Sequence, residues 1–473
     1  MPFTHVRNHS GHPAAVITAG TVSGEPMVAG EPPTMVRLPA FPVEGRPTLA
    51  LDWGRDLGRF ILAGGDWSTA QGTSGECLVD LTRLDLRPAL LRPVLAGIID
   101  GIGGLGPLES TTIVLDFPDD PAEVDRALEV ELALRRGTEI ARELTDARAN
   151  QLGPMDFARR AEQLAAEHGL GFRMRGSSEL ADGGFGGITA IGQGSRRPPA
   201  LVELWLFSNA GNEAAPASAS AGPPTEALAF AGKGITFDTG GLSLKSPEAM
   251  YSMHTDCAGA AAVLGAMVAL ALTGCEQPVH AVLPLAENVP GPDSVFPGDV
   301  VTIRDGTGLE IVDTDFEGRV VLADALSLIG EHRPRAVVSL ATLTYQAMVA
   351  LGGEIAAVLA RDEVLSNQVL DAAETAGEEA WPLPWARRYA AQIRSTAPGA
   401  TLRNHPRTDT GRAITAALLL GEFVDPAVPF AHIDFGGPAL RHEAGGVHAT
   451  GWGVRTMHEL ATNFTYERIR RDR

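Results

Sequence analysis

Between Ala227 and Thr344 short apolar runs and longer helical runs take turns along the chain, and this alternation restricts the fold more than any other feature. The runs "ALAFAGKG" (227–234), "VHAVLPLAEN" (279–288) and "AVVSLATLT" (336–344) read as strands. Between them "DCAGAAAVLGAMVALALTG" (256–274), with Gly274 as its stop, and "GRVVLADALSLIGEH" (318–332) read as helices. Strands alternating with helices predict an α/β fold with a mostly parallel sheet. Upstream, "ALVELWLF" (200–207) alternates as a strand does, and "MDFARRAEQLAAEHG" (155–169) is a helix ended by Gly169. In an open α/β sheet, functional groups gather at the carboxyl ends of the strands, where Lys233 falls.

A chain of 473 residues allows two or three domains. Residues 1–120 read as a small N-terminal α/β domain, in which "TLALDW" and "RFILAGG" are apolar runs and "TTIVLDFP" is a buried strand. Residues 121–150 carry helical spacing and are expected to connect the domains, and 151–473 form the C-terminal α/β domain. Within it, 208–226 ("SNAGNEAAPASASAGPPTE") has few large apolar groups and is expected to be a flexible surface insertion.

Lys and Arg total 38 against 58 Asp and Glu, a net charge of −20 without long basic runs, which argues against nucleic acid as an obligatory partner. Cys77, Cys257 and Cys275 are odd in number and widely spaced, so neither a disulfide framework nor a zinc ribbon is supported. The N-terminus lacks a basic start followed by an apolar core, and no stretch nears the apolar length of about 20 residues that a bilayer requires. A soluble, cytoplasmic protein is expected.

Charged residues concentrate at the strand-to-helix junctions. "GKGITFDTGG" (232–241) and "LSLK" (242–245) bring Lys233, Asp238 and Lys245 close in sequence; Asp256 opens a helix; Asp315, Glu317 and Arg319 lie in "VDTDFEGR" (312–319). On an extended segment, the i, i+2 spacing of Asp315 and Glu317 points both carboxylates to one side. Several carboxylates aimed at one spot repel unless cations neutralise them. Each taken alone has a plainer explanation: Asp256 and Asp315 as helix caps, Asp238 as a turn residue. Together they are harder to dismiss.

"AGKGITFDTGGLSLK", "MHTDCAGAAA", "LPLAENVPGPDSVFPGDVV", "DTDFEGRVVLADAL" and "ATLT", with "ELTDARANQLGP" and "TGWGVRTMHEL", resemble in order and spacing the leucyl aminopeptidase family of dinuclear metallopeptidases. The resemblance runs from about Gly137 to near Leu460 and leaves residues 1–120 and 208–226 largely uncovered. It implies an aminopeptidase domain holding two divalent metal ions, Zn or Mn foremost, with Co or Mg as alternatives. Lys233, Asp238 and Asp256 would bind one ion and Asp315 the other, with Asp238 and Glu317 shared. A lysine ligand must be neutral, which requires burial beside a dication. Lys245 would stabilise the oxyanion, and Arg319 would hold a bicarbonate that relays the proton to the leaving amine. Met253, Thr342, Leu343 and Tyr345 would line the substrate pocket. The implied activity is removal of an N-terminal residue from short peptides or aminoacyl amides, in a homohexamer.

The chain departs from the family pattern at several positions. Asp313 replaces an asparagine, Phe316 an alanine, and Tyr345 a glycine of the pocket, which suggests a preference for a small or unusual first residue. His254 and Cys257 stand where a basic residue and a methionine are usual; His254 fits an ordinary structural role better than a ligand. "HID" (432–434) reads as core, and Met250, Met253 and Met267 as packing. Neither G-x-S-x-G nor H-E-x-x-H occurs. Two alternatives stand beside the peptidase reading: a specialised amide hydrolase or aminoacyl transferase of a biosynthetic pathway, and a non-catalytic scaffold or DNA-binding protein, which the net charge disfavours.

Overall fold

The computed structural model describes residues 121–207, 222–443 and 446–465 continuously; before them it describes Leu51, Gly54, Arg55 and Leu57 and four elements. These are the strands β1 (Val16–Thr18), β2 (Glu76–Asp80) and β3 (Thr112–Asp116) and the helix α1 (Pro88–Ile102). The insertion expected at 208–226 lies outside the described residues up to 221, as does most of "TLALDW" and "RFILAGG".

The chain divides into two compact units, Met1–Arg135 with Glu374–Gly377, and Arg136–Ala373 with Glu378–Arg473. In the first, β1, β2 and β3 form a parallel sheet in that order, and "TTIVLDFP" supplies β3. Helix α1 buries Leu90, Leu91, Val94, Leu95 and Ile98 along one stripe. Helix α2 (Pro121–Asp146) runs across the division.

The second unit is built on a sheet of nine strands. In chain order its elements include α3 (Pro154–His168), β4 (Gly171–Arg175), β5 (Ala200–Leu206), β6 (Leu228–Gly232), β7 (Gly234–Asp238), α4 (Ala258–Thr273) and β8 (Val279–Asn288). There follow α5 (Glu317–Glu331), β9 (Ala336–Ala341), α6 (Tyr345–Leu351), β10 (Ala356–Ala360), β11 (Ala380–Pro382), α7 (Arg412–Gly421), β12 (Phe430–Asp434) and α8 (Val454–Thr462). The strand order is β11-β10-β12-β9-β6-β8-β5-β4, with β7 also paired to β8. The central pairs β12/β9, β9/β6, β6/β8 and β7/β8 are parallel, and β4, β5 and β10 join antiparallel.

Every residue of β5, β6, β8 and β9 is buried, because helices cover both faces of the sheet. Along β8, Val279, Ala281, Leu283 and Leu285 pack with α3, α4 and α8, whereas Val282 and Ala286 pack with α5 and α7. Helix α4 is apolar nearly all round, as its burial requires. The result is the expected α/β/α layering. Being parallel, β6, β7, β8 and β9 deliver Lys233, Asp238, Asn288 and Thr342 to the same edge of the sheet, where α5 also begins. Among the described residues no helix is long and apolar enough to cross a membrane.

Candidate active site

Lys233 leaves the end of β6 and is buried, its side chain only 3% exposed. Its Nζ lies 2.7 Å from Asp256 Oδ2 and 2.7 Å from Glu317 Oε1, and donates to the Thr342 carbonyl at 3.2 Å. The lysine stem runs over Gly318, where a Cβ would stand 2.7 Å from Lys233 Cε and 2.8 Å from Leu343 Cδ1. Glycine at this position is what lets Lys233 reach the start of α5.

Asp238 ends β7. Its Oδ1 accepts from the Gly240 N–H and from Asn288 Nδ2, both at 2.8 Å, and its Oδ2 lies 2.7 Å from Lys245 Nζ. Gly240 (φ 86°) and Gly241 (φ 65°) occupy the left-handed region, reversing the chain so that Lys245 returns over Asp238. Lys245 also pairs with Asp315. Asp238, Asp315 and Glu317 each present a carboxylate oxygen within 4.8 Å of the others.

Asp238 does serve its turn, since its Oδ1 accepts from the Gly240 N–H two residues on, but the plainer explanations of Asp256 and Asp315 are overtaken by the geometry. Asp256 precedes the N-cap of α4, Cys257, and its Oδ1 accepts from Thr342 Oγ1 at 2.8 Å instead of capping the helix. Asp315 is not a cap either: Asp313 is, its carboxylate accepting from the Asp315 N–H at 2.9 Å. Asp313 therefore fills by capping the position where an amide would do the same. The segment carrying Asp315 and Glu317 is not extended but a helical turn (Thr314–Phe316) running into α5. The two carboxylates share a site because the turn wraps round it, and Phe316, between them, faces elsewhere. Its ring packs on His405 at 4.4 Å and beneath the guanidinium of Arg319 at 4.4 Å, with Arg412 at 5.3 Å.

Four carboxylates (Asp238, Asp256, Asp315, Glu317) meet two lysines (Lys233, Lys245), a formal balance of −4 + 2 = −2 in a largely buried place. Burial pushes Asp256 up to about 7; Lys233 opposes this, and the charges of Glu317 and Asp238 add to it. Burial and the neighbouring Glu317 likewise raise Asp238. Burial alone would lower Lys233, but Asp256, Glu317 and Asp238 outweigh it, so its pKa is raised. Glu317 Oε2 is buried without a hydrogen-bond partner. An excess of buried negative charge and an orphaned oxygen fit a site for cations.

Arg319, two residues after Glu317 in the first turn of α5, is 2% exposed, donates from Nη1 to the Asn404 carbonyl at 2.9 Å, and is pushed down to about 10 by burial. Thr342 and Leu343 follow β9 beside Lys233, and half-buried Met253 opens the turn before Asp256. Tyr345 starts α6 and is 71% exposed. His254 is buried with Nε2 3.2 Å from Arg148 Nη1, outside the carboxylate cluster. Cys257 is buried in apolar surroundings that push its thiol up to about 12.

Three residues at the site carried no assigned role in the sequence. Asn288 joins Asp238 to the Thr314 carbonyl at 2.9 Å, and its place at the end of "LPLAEN" was the available signal. Asn404 receives the Val312 N–H at 2.8 Å and donates to the Asp313 carbonyl at 2.6 Å. Asp434, within "HID", accepts from the Leu343 and Thr344 N–H groups at 3.1 and 3.2 Å and from Thr344 Oγ1 at 2.5 Å. It thereby fixes the loop that ends in Tyr345.

The catalytic-domain model of the cytosol aminopeptidase family matches residues 139–458. The chain is 38% identical over 368 residues to a probable cytosol aminopeptidase of Streptomyces avermitilis, covering 76% of this chain and 67% of that one. To a probable cytosol aminopeptidase of Bacillus subtilis it is 37% identical over 363 residues, 76% and 69% of the two chains. Among solved structures it resembles the bottromycin maturation enzyme BotP in complex with Mn, with a TM-score of 0.79, 32% identity, and coverage of 95% of this chain and 99% of that one.

Proposed function

The chain belongs to the cytosol aminopeptidase family and is a leucyl-aminopeptidase-like hydrolase, and from this premise we propose that it removes the N-terminal residue of a peptide or aminoacyl amide with the help of divalent cations. The observation that carries the metal assignment is the excess of buried carboxylate at one strand edge: four acidic groups against two lysines, with Glu317 Oε2 unpartnered. Asp238, Asp315 and Glu317 would hold the cations together with Asp256 and with Lys233, which would have to give up the proton that its carboxylate neighbours hold on it, and the Mn bound by the similar BotP favours a hard or borderline ion. Such ions lower the pKa of water and polarise a carbonyl at neutral pH.

The side chains around them have distinct tasks. Lys245 carries a fixed cation at the rim, where it would stabilise the oxyanion that forms as the amide carbonyl is attacked. Arg319 is held rigid by Asn404 and by the face of Phe316, and a small anion such as bicarbonate docked on it would pass a proton to the leaving amine. Met253, Thr342, Leu343 and Tyr345 would receive the first side chain of the substrate. The same reading would place the chain in a homohexamer acting in the cytoplasm.

A second reading is favoured by one observation. BotP, whose fold matches 95% of this chain and 99% of its own, is named for the maturation of bottromycin. The peptide acted on would then belong to a dedicated biosynthetic pathway. The decisive experiment measures metal content of the wild-type protein and of Glu317→Gln, alongside release of amino acids from a panel of aminoacyl amides and short peptides. About two divalent ions per chain with chelator-sensitive release, both diminished in Glu317→Gln, are expected. Full metal content and turnover in Glu317→Gln would overturn the assignment, and metal binding without turnover of any simple amide would favour the pathway substrate.

A further inference from the structure

At the other end of β8 a group of titratable side chains has no part in the site described above. His280 is the second residue of β8 and Asn288 the last, so about eight extended residues at ~3.3 Å each, or about 26 Å, separate them. Glu203 of β5 pairs with Val282, and His280 with Trp205, which makes Glu203 and His280 diagonal neighbours on one face of the sheet. The same face carries Arg175 from β4, and His332 follows the last turn of α5 above it.

Glu203 and His280 are each 1% exposed, and the His332 side chain is 25% exposed. Glu203 Oε1 lies 3.3 Å from His280 Nε2 and 3.7 Å from His332 Nε2, and the two imidazoles meet edge to face at 4.9 Å. One ligand atom from each residue lies within 4.8 Å of the other two. Despite this closeness, Glu203 Oε1 and both ring nitrogens of His280 are buried with no hydrogen-bond partner. A buried carboxylate oxygen and a buried imidazole without hydrogen bonds are costly unless something else satisfies them.

We propose that Glu203, His280 and His332 bind a single borderline divalent cation such as Zn²⁺, at a site separate from the catalytic cluster. Two imidazoles and one carboxylate are a donor set suited to zinc. Around a tetrahedral ion with ligand bonds of about 2.1 Å, ligand atoms sit about 3.4 Å apart, close to the 3.3 and 3.7 Å separations already in place. The second oxygen of Glu203 is held by Arg175, which fixes the carboxylate with Oε1 turned to the two rings. His332 lies at the edge of the cluster, its side chain 25% exposed. Its partial exposure gives an ion a way in and leaves room for water as a fourth ligand. A bound ion would clasp the end of α5 to β5 and β8.

The test uses the full-length protein incubated with Zn²⁺ and desalted, comparing wild type with His332→Gln and His280→Asn. Wild type is expected to retain one zinc more per chain than either variant, with zinc affinity in His332→Gln reduced by more than the ~10–100-fold that loss of a supporting partner costs. Both variants keep amide hydrolysis, because neither residue touches the catalytic cluster, so this result is distinguishable from failure of the peptidase reading. Anomalous diffraction at the zinc edge should give a peak among the three side chains. Equal zinc content in wild type and His332→Gln, which is partly exposed and leaves the core intact, would overturn the proposal; so would an anomalous map with no peak there.

Discussion

Phe316 stands between two acidic residues of the site, and its ring turns outward to carry the guanidiniums of Arg319 and Arg412 and the imidazole of His405. A bulky residue in that position need not obstruct the cluster, because the helical turn Thr314–Phe316 sends neighbouring side chains in different directions. Asp313 shows the same economy, since its carboxylate is engaged in capping Asp315. Tyr345, exposed at the start of α6 beside Leu343, is the substitution with the clearest expected effect on selectivity. Tyr345→Gly should raise kcat/KM for a leucine amide relative to a glycine amide by about tenfold, the scale on which pockets discriminate apolar groups. An unchanged ratio would remove Tyr345 from the substrate pocket. These local outcomes were only partly legible in the sequence: which residue types were unusual could be read, but not where each side chain points.

Elements matter here because five of them end at the same place. The start of α5 supplies Glu317, and its next residue, Gly318, must lack a side chain for Lys233 to pass. A methyl group there meets buried lysine carbons whose Nζ is held by two carboxylates, so the lysine cannot swing aside cheaply. Gly318→Ala should therefore lower metal affinity, seen as zinc or manganese lost on dialysis that wild type survives. At the end of β12, Asp434 accepts two backbone N–H groups and one hydroxyl from the loop after β9. Removing the carboxylate in Asp434→Ala leaves these donors buried, which costs about 1–3 kcal/mol each. The expected results are a lower Tm and a raised KM with metal content retained; an unaltered KM would show that the loop keeps its shape without Asp434. The strands and helices themselves were readable because fully buried strands are apolar runs and Gly169 and Gly274 end their helices with positive φ. Asn404 was not readable, since it lies on a two-residue strand (Leu402–Arg403) boundary some distance along the chain from Arg319 and Asp313.

At the scale of the whole molecule, burial in the sheet gives one histidine a pH-dependent contribution to stability. His432 is fully buried with Nδ1 2.9 Å from Ser339 Oγ, and burial, reinforced by the charge of Arg319, pushes it down from 6.5 to about 3. The unfolded chain gains a proton that the folded chain refuses within this window. The contribution of His432 to stability is therefore full above about pH 6.5 and falls as the pH drops toward about 3, by about 1.4 kcal/mol per unit. Urea unfolding should show wild type losing about 2 kcal/mol more than His432→Gln between pH 7 and pH 5; parallel losses would mean that other groups govern the acid limb. The sequence by itself determined the α/β layering, the family, and the residue types that converge on the strand edge, because hydrophobic periodicity and short motifs are local properties of the chain. Only the tertiary structure decided that Asp256 faces Lys233 instead of capping α4, that Asn288, Asn404 and Asp434 hold the site in position, and that Glu203, His280 and His332 meet. Those residues come from distant parts of the chain, and which of them become neighbours is set by strand order and register, which no local pattern encodes.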